Sequence, residues 1–308
     1  MNQKHETWGW MLAFDFFFAG MGAAMLFFAG IAELFLIDSN LSVVGIFLGA
    51  IFIAIGALLL IAELGRPLQA WRVFVNPKAL LTFGAWNMTI AIGAGLLLAT
   101  SWLEVFPWFG LVALRKAMAF VCMITGFIVA TYPGVLLGMH KGRPFWNGPG
   151  IVVLFLNSSL LTGLAAFIVC GLFVDVSPVV LNFFPNLAAV LCVFQLIIWL
   201  AYLWIKNSGA TNRENLAAKR WISGDFVNLF KLGFLFLGTF VPLVLFMLAN
   251  ETLVAFGGLL AILGGLLMRN LVVYAGQDRT WLPGEKDFRA RLPLGDEAFL
   301  HKIWTKQI

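Results

Sequence analysis

The chain alternates between long apolar segments and short polar turns, and eight of the apolar segments are long enough to cross a membrane. About twenty apolar residues in a helix cover the roughly 30 Å of hydrocarbon in a bilayer. The predicted spans are residues 9–37, 41–63, 81–103, 112–140, 149–174, 181–206, 226–249 and 252–276. This pattern predicts an all-α integral membrane protein with eight transmembrane helices, arranged as two four-helix bundles.

The composition agrees with this fold class. The 308 residues are 61% hydrophobic and only 11% charged, which excludes a soluble globular domain. The formal net charge of +5 is too small and too dispersed to indicate binding to nucleic acid. We expect one transmembrane domain over residues 1–276 and an extramembrane tail over residues 277–308, which is too short to form a domain alone and docks a partner.

Basic residues predict the orientation of the protein. With an even number of spans both termini share one side, here called side A, which includes the turns at 64–80, 141–148 and 207–225. These turns and the tail are rich in Lys and Arg, whereas the opposite turns offer Arg115 and Lys116. The positive-inside rule therefore predicts that side A is cytoplasmic. Tryptophans near the span ends predict an interfacial belt: Trp8, Trp10, Trp71, Trp102, Trp108, Trp146, Trp204 and Trp221.

The spacing of cysteine and histidine does not fit a metal centre. Cys122, Cys170 and Cys192 each stand alone within an apolar span. A di-haem membrane cytochrome needs paired axial ligands facing each other across the bundle, and no predicted span has a histidine at depth. We therefore expect no haem or iron–sulfur cluster in this protein.

Asp15 lies within the first span, about 10 Å below side A at 1.5 Å per residue, among phenylalanines. An ionisable residue at mid-depth costs roughly 2.5–3.5 kcal/mol on insertion scales, so it suggests a function. A carboxyl group there can exchange a proton. The alternative is a structural carboxylate satisfied by a neighbouring arginine or by the backbone.

Tyr132 lies in the fourth span at nearly the depth of Asp15, and Pro133 predicts a helix kink beside it. A phenol and a carboxyl group at one depth give a quinone head group one hydrogen-bond partner for each carbonyl. They also give it a proton path to bulk water. Helix–helix packing is the alternative role for Tyr132.

Further polar residues converge on side A. Glu63 ends the second span and Arg66 begins the following turn, although these two could form only a local ion pair. Convergence from five consecutive spans nevertheless predicts a binding site. The candidate catalytic residues are Asp15, Tyr132 and Glu63. The candidate quinone-binding residues are Asp15, Tyr132, Arg66, Trp86, Asn87 and Asn157.

Several motifs occur in a characteristic order. They are Trp8-Gly-Trp, Phe16 to Gly22, Glu63-Leu-Gly-Arg-Pro67, Asn76-Pro77 with Thr82 to Trp86, Tyr132-Pro-Gly-Val-Leu-Leu-Gly138, and Phe145-Trp-Asn through Leu154 to Gly163. In order and spacing the sequence resembles the NrfD family, the polysulfide-reductase-type membrane subunits. The resemblance covers spans one to five by motif and the remaining spans by number.

This resemblance implies an eight-helix anchor without a cofactor of its own that binds menaquinone or ubiquinone near one surface of a bacterial or archaeal cytoplasmic membrane. It implies two partners: a ferredoxin-like iron–sulfur subunit, and a large catalytic subunit that is a molybdopterin enzyme or a multihaem cytochrome. The family's quinone contacts correspond to Asp15 and Tyr132, and its acidic residue before Gly-Arg-Pro corresponds to Glu63. In several relatives the docking side is periplasmic, which conflicts with the cytoplasmic assignment of side A.

The expected function is therefore the quinone-binding anchor of a respiratory oxidoreductase, with proton transfer coupled to electron exchange. The alternative is a secondary transporter or a proton-translocating channel subunit, for which buried carboxylates and glycine-rich helices are also typical. Gln195, Lys231 and Arg269, in the last three spans, could line a proton route or pair with carboxylates. Clustering of polar residues at one surface favours the quinone site.

Overall fold

The helices of this protein follow its apolar segments. The computed structural model describes residues 9–35, 39–63, 67–76, 78–140, 143–174, 178–209, 212–248 and 250–276. Within these ranges the helices are α1 (Trp10–Phe35), α2 (Ser39–Glu63), α3 (Leu80–Thr100), α4 (Val112–Gly138), α5 (Gly150–Cys170), α6 (Pro178–Asn207), α7 (Asn212–Ile222), α8 (Val241–Phe246) and α9 (Glu251–Ala275). A 3₁₀ segment (Pro67–Phe74) precedes α3, and a π-helical segment (Leu229–Phe240) leads directly into α8.

Eight helical stretches among the described residues are long and apolar enough to cross a membrane. The seventh consists of the π-helical segment and α8 together, over Leu229–Phe246, and α7 is the helix that does not span. This confirms the predicted fold class and the number of spans. The largest difference in a boundary is at the fifth span, which ends at Cys170 rather than at residue 174.

The spans form two four-helix bundles. In the first bundle α1 contacts α2 and α4, and α3 completes the ring by contacting both α2 and α4. In the second bundle α5 contacts α6 and α9, and the seventh span lies between α6 and α9. The two bundles meet where α1 packs against α5 and α9 and where α4 packs against α5. Helix α1 therefore lies at the centre of the protein.

Small residues allow α1 to approach its neighbours closely. The backbone of α1 at Gly22 lies against the Gly49 carbonyl of α2, and at Gly30 it lies against the Ala119 carbonyl of α4. Helix association in lipid depends on such packing, because lipid tails are as apolar as leucine. The small residues of α1 therefore form a packing surface.

Side A of the second bundle differs from the prediction in two ways. The 207–225 turn contains α7, whose Ala218 and Trp221 are buried while Lys219 is exposed. Trp146 and Trp221, predicted to lie in the interfacial belt, are fully buried instead, and Trp221 stacks on Phe145 with ring centroids 4.8 Å apart. Short amphipathic helices and buried tryptophans both follow from tertiary packing, which hydropathy along the sequence does not report.

The close approach of α1 and α2 at Gly22 predicts that adding one methyl group there lowers the stability of the fold. In Gly22→Ala the new Cβ would lie 2.5 Å from the Gly49 carbonyl oxygen, so α1 and α2 must separate. We expect a loss of roughly 1–3 kcal/mol of stability, as for other overpacked sites. Thermal unfolding of the detergent-purified protein measures it. Gly93→Ala is the matched control, because a Cβ at Gly93 meets nothing within 4 Å; equal melting temperatures for the two variants would contradict the packing described.

Candidate functional site

Asp15 occupies the buried face of α1, five residues after the helix begins at Trp10, which is about 8 Å along the axis. Its side chain is only 3% exposed. It faces Gly56 of α2, where a Cβ would lie 3.0 Å from Asp15 Oδ1. Among the described residues Oδ1 has no hydrogen-bond partner. The space left by Gly56 therefore holds a buried carboxyl oxygen that is not satisfied by this part of the protein.

Glu63 lies at the side A end of α2, where α2 meets the beginning of α1. Its Oε1 accepts a hydrogen bond from the Gly9 backbone N–H at 3.0 Å. Its Oε2 is buried and lacks a partner within the described ranges. The Glu63 carboxyl group is close enough to Asp15 for the two to repel each other when both are charged. The two carboxyl groups thus form a pair that leads from the bundle interior toward side A.

Tyr132 brings a phenol to the same depth from α4, six residues or about 9 Å before the helix ends at Gly138. Its ring packs directly over Gly84 of α3, where any side chain would overlap the ring. The phenol lies within electrostatic range of the Asp15 carboxyl group. Pro133 lacks an N–H, so the Val129 carbonyl cannot receive its usual helical hydrogen bond. Asp15, Glu63 and Tyr132 therefore share one region of the first bundle.

This region contains an unusual set of unsatisfied oxygens. In the described part of the protein six buried side-chain polar atoms have no hydrogen-bond partner, and three of them are Asp15 Oδ1, Glu63 Oε2 and Tyr132 OH. Most buried polar side-chain atoms in folded proteins are paired, so each exception needs an explanation. Three exceptions from three helices in one region are the arrangement expected of a site that binds a polar ligand.

The other residues predicted for the site lie at its edge or outside it. Asn87 donates from Nδ2 to the Phe83 carbonyl of its own helix at 2.8 Å. Trp86 is half exposed on the outer face of α3 and packs edge-on against Phe74 of the 3₁₀ segment. Arg66 lies outside the described residues. The predicted ligand roles of these three residues remain predictions.

Asn157 is held by a different network. Its Nδ2 donates to the Leu191 carbonyl of α6 at 3.2 Å and lies 3.5 Å from Gln195 Oε1. Gln195 in turn donates to Thr239 Oγ1 of the π-helical segment at 3.2 Å. Asn157, Gln195 and Thr239 thus form a row of hydrogen-bonded side chains inside the second bundle, here called the polar row. The structure therefore does not bring Asn157 together with Asp15 and Tyr132.

Two residues of the site could not be identified from the sequence pattern. Gly56 and Gly84 make room for the Asp15 carboxyl group and the Tyr132 ring, and both belong to apolar helices that contain several glycines. Only the rotation of each helix about its axis shows which glycine faces the site. Among the described residues no three His, Cys, Asp or Glu side chains are grouped closely enough to hold a metal ion.

Comparison with known proteins gives the family. A family model described as polysulphide reductase, NrfD, matches residues 1–280. The protein belongs to the NrfD family. It is 23% identical over 303 residues to the C subunit of polysulfide reductase from Wolinella succinogenes, an alignment that covers 88% of this protein and 94% of that relative. It is also 24% identical over 190 residues to protein NrfD of Escherichia coli, which covers 53% of this protein and 59% of that relative.

The NrfD family was predicted from the order of the sequence motifs, and the family match confirms it. The matched range includes all eight spans and therefore every helix that contributes to the site. Both relatives come from bacteria. The protein is thus a multi-pass membrane protein with relatives in bacteria.

The unsatisfied state of Asp15 predicts that its carboxyl group does not stabilise this NrfD-family fold. Asp15→Asn removes no hydrogen bond from Oδ1 and replaces a buried ionisable group with a neutral one, so its melting temperature should equal or exceed that of the native protein. The matched control is Glu33→Gln on the same helix, because Glu33 Oε1 accepts hydrogen bonds from Arg115 at 3.0 and 2.6 Å. Breaking that pair should cost roughly 3 kcal/mol. Greater destabilisation by Asp15→Asn than by Glu33→Gln would contradict the geometry of the site.

Proposed function

We propose that this protein is the quinone-binding membrane subunit of a respiratory oxidoreductase. The observation that supports the proposal is the convergence, just below side A, of oxygens of Asp15, Glu63 and Tyr132 that have no hydrogen-bond partner in the described part of the protein. Membership of the NrfD family agrees with it, because one relative is named as a subunit of polysulfide reductase. Binding at this depth suits a lipid-soluble ligand that reaches the site from within the bilayer.

The polar atoms of the site match the two ends of a quinone head group. Tyr132 OH donates a hydrogen bond to one carbonyl oxygen of the quinone. The protonated Asp15 carboxyl group donates to the other carbonyl, and the ionised form accepts from a quinol hydroxyl. The buried Phe16 and Phe17 and the ring of Tyr132 provide apolar surroundings. Menaquinone and ubiquinone both present this pattern of acceptors.

Glu63 provides the step between the site and side A. Oxidation of one quinol to quinone releases two electrons and two protons. Asp15 takes up the two protons one after the other and passes the first to Glu63 before it accepts the second. Glu63, which is half-buried at the end of α2, releases each proton at side A. Reduction of quinone uses the same residues in the reverse order. Two carboxyl groups near each other can exchange a proton because only one of them is readily ionised at a time.

The electrons require a redox partner, which we propose to be a ferredoxin-like iron–sulfur subunit. It would in turn connect this protein to a large catalytic subunit, either a molybdopterin enzyme or a multihaem cytochrome. The iron–sulfur subunit would dock on side A, which is the surface nearest to Asp15 and Tyr132, with residues 277–308 as part of the docking surface. We place the complex in the cytoplasmic membrane and retain the cytoplasmic assignment of side A from its basic turns.

The polar row in the second bundle supports a second candidate function, proton translocation. Asn157, Gln195 and Thr239 link α5, α6 and the π-helical segment by hydrogen bonds inside the membrane. Such a series of groups can relay protons or line a transport path. Proteoliposomes containing only this protein and a pH-sensitive dye distinguish the two functions. Proton or solute flux without a redox partner would favour translocation, whereas quinone-dependent activity only in the complex favours the quinone site.

Substitution of the two head-group residues tests the proposed function. Asp15→Asn and Tyr132→Phe should each lower the kcat/KM of the purified complex for a short-chain menaquinol analogue by about a hundredfold, because each removes a proton-transfer group. Reduction of an artificial electron acceptor measures this rate. Tyr274→Phe is the control for removal of a phenol, since Tyr274 lies partly exposed on α9. Native rates in both site variants would exclude the assigned roles.

A further inference from the structure

Arg269 is a fully buried cation at the junction of the two bundles, and the proposed proton transfer does not use it. It lies on α9, six residues before that helix ends at Ala275, so its depth below side A is close to that of Asp15. The sequence suggested that it lines a proton route or pairs with a carboxylate. Instead its hydrogen bonds run to backbone carbonyls and serines: within the described ranges no carboxylate forms an ion pair with it.

The guanidinium group of Arg269 connects α9 to the helix that carries Asp15. Its Nε donates to the carbonyl of Phe16, the residue that follows Asp15 on α1, at 2.9 Å. Its Nη1 donates to Ser158 Oγ on α5 and to the Gly265 carbonyl on α9, each at 3.0 Å. A planar fork with fixed donor directions can hold several such acceptors at once, which a lysine ammonium cannot do in the same geometry.

A second path from Arg269 leads to the helix that carries Tyr132. Nη2 donates to Ser159 Oγ at 3.0 Å. Ser159 Oγ then donates to the Ala130 carbonyl on α4 at 3.2 Å, two residues before Tyr132. The crossing is tightly fitted, because a Cβ at Gly20 of α1 would lie 2.6 Å from Ser159 Oγ and 3.0 Å from Arg269 Nη2.

We infer that Arg269 is a positioning residue for the quinone site. It fixes Asp15 relative to Tyr132 through two hydrogen-bonded connections, one to the Phe16 carbonyl and one through Ser159 to the Ala130 carbonyl. Asp15 and Tyr132 belong to different helices, and each presents an oxygen that no hydrogen bond from the described residues holds in position. The second bundle therefore sets the separation of the two head-group contacts that the first bundle provides. This inference rests on the proposed function.

Neighbouring serines on α5 offer a matched test. Ser158→Ala and Ser159→Ala each remove one hydrogen bond from Arg269, but only Ser159→Ala also breaks the connection to α4. We expect Ser159→Ala, which loses two hydrogen bonds, to lower the melting temperature more than Ser158→Ala, which loses one. Binding of a short-chain menaquinone analogue to the purified complex, followed by quenching of tryptophan fluorescence, should weaken about tenfold in Ser159→Ala and remain near native in Ser158→Ala. Gly20→Ala, which pushes Arg269 and Ser159 apart, should weaken binding as Ser159→Ala does.

Asp15→Asn and Tyr132→Phe, measured in the same preparations, separate this inference from the proposed function. If those two variants weaken binding while Ser159→Ala and Ser158→Ala give equal affinities, Arg269 has only a structural role and the inference is wrong. If Asp15→Asn and Tyr132→Phe both bind the analogue with native affinity, the proposed function fails, and the positioning role fails with it. A selective loss in Ser159→Ala and Gly20→Ala supports the positioning role.

Discussion

The burial of the Asp15 carboxyl group without a partner for Oδ1 is the constraint on which the rest of the site depends. A carboxyl group within the span costs free energy that this part of the protein does not recover through a hydrogen bond. The same holds for the phenol of Tyr132 and for one oxygen of Glu63. Groups that have no hydrogen-bond partner among the described residues are available to a ligand, and the proposed quinone head group offers carbonyl or hydroxyl oxygens to pair with them.

Close helix packing makes this arrangement possible. Glycines on α2 and α3 leave room for the Asp15 carboxyl group and the Tyr132 ring, while glycines on α1 bring its backbone into contact with α2 and α4. Arg269 adds a polar connection from the second bundle at the same depth. In the proposed function the first bundle supplies the groups that bind the quinone, and in our inference the junction between the bundles holds them in place.

Much of the fold was predictable because the bilayer imposes it. Lipid requires about twenty apolar residues per span, so hydropathy located all eight spans, including those that carry Asp15 and Tyr132. Helix rotation is not encoded in hydropathy, so Asn157 was placed with the site although it bonds to α6. The partners of Arg269 were not predictable either, since no sequence pattern indicates bonds to backbone carbonyls on α1 and α9 and to two serines on α5. For the same reason α7 and the buried Trp146 and Trp221 were missed.

The location of the quinone is the most direct test of this account. A photoreactive quinone analogue, activated by light on the purified complex and followed by mass spectrometry of the peptides, reports which helices line its binding site. The account predicts labelling of α1 and α4 near Asp15 and Tyr132, suppressed by excess unlabelled quinone. Labelling confined to α6 and the π-helical segment around Gln195 and Thr239, with none on α1 or α4, would contradict it.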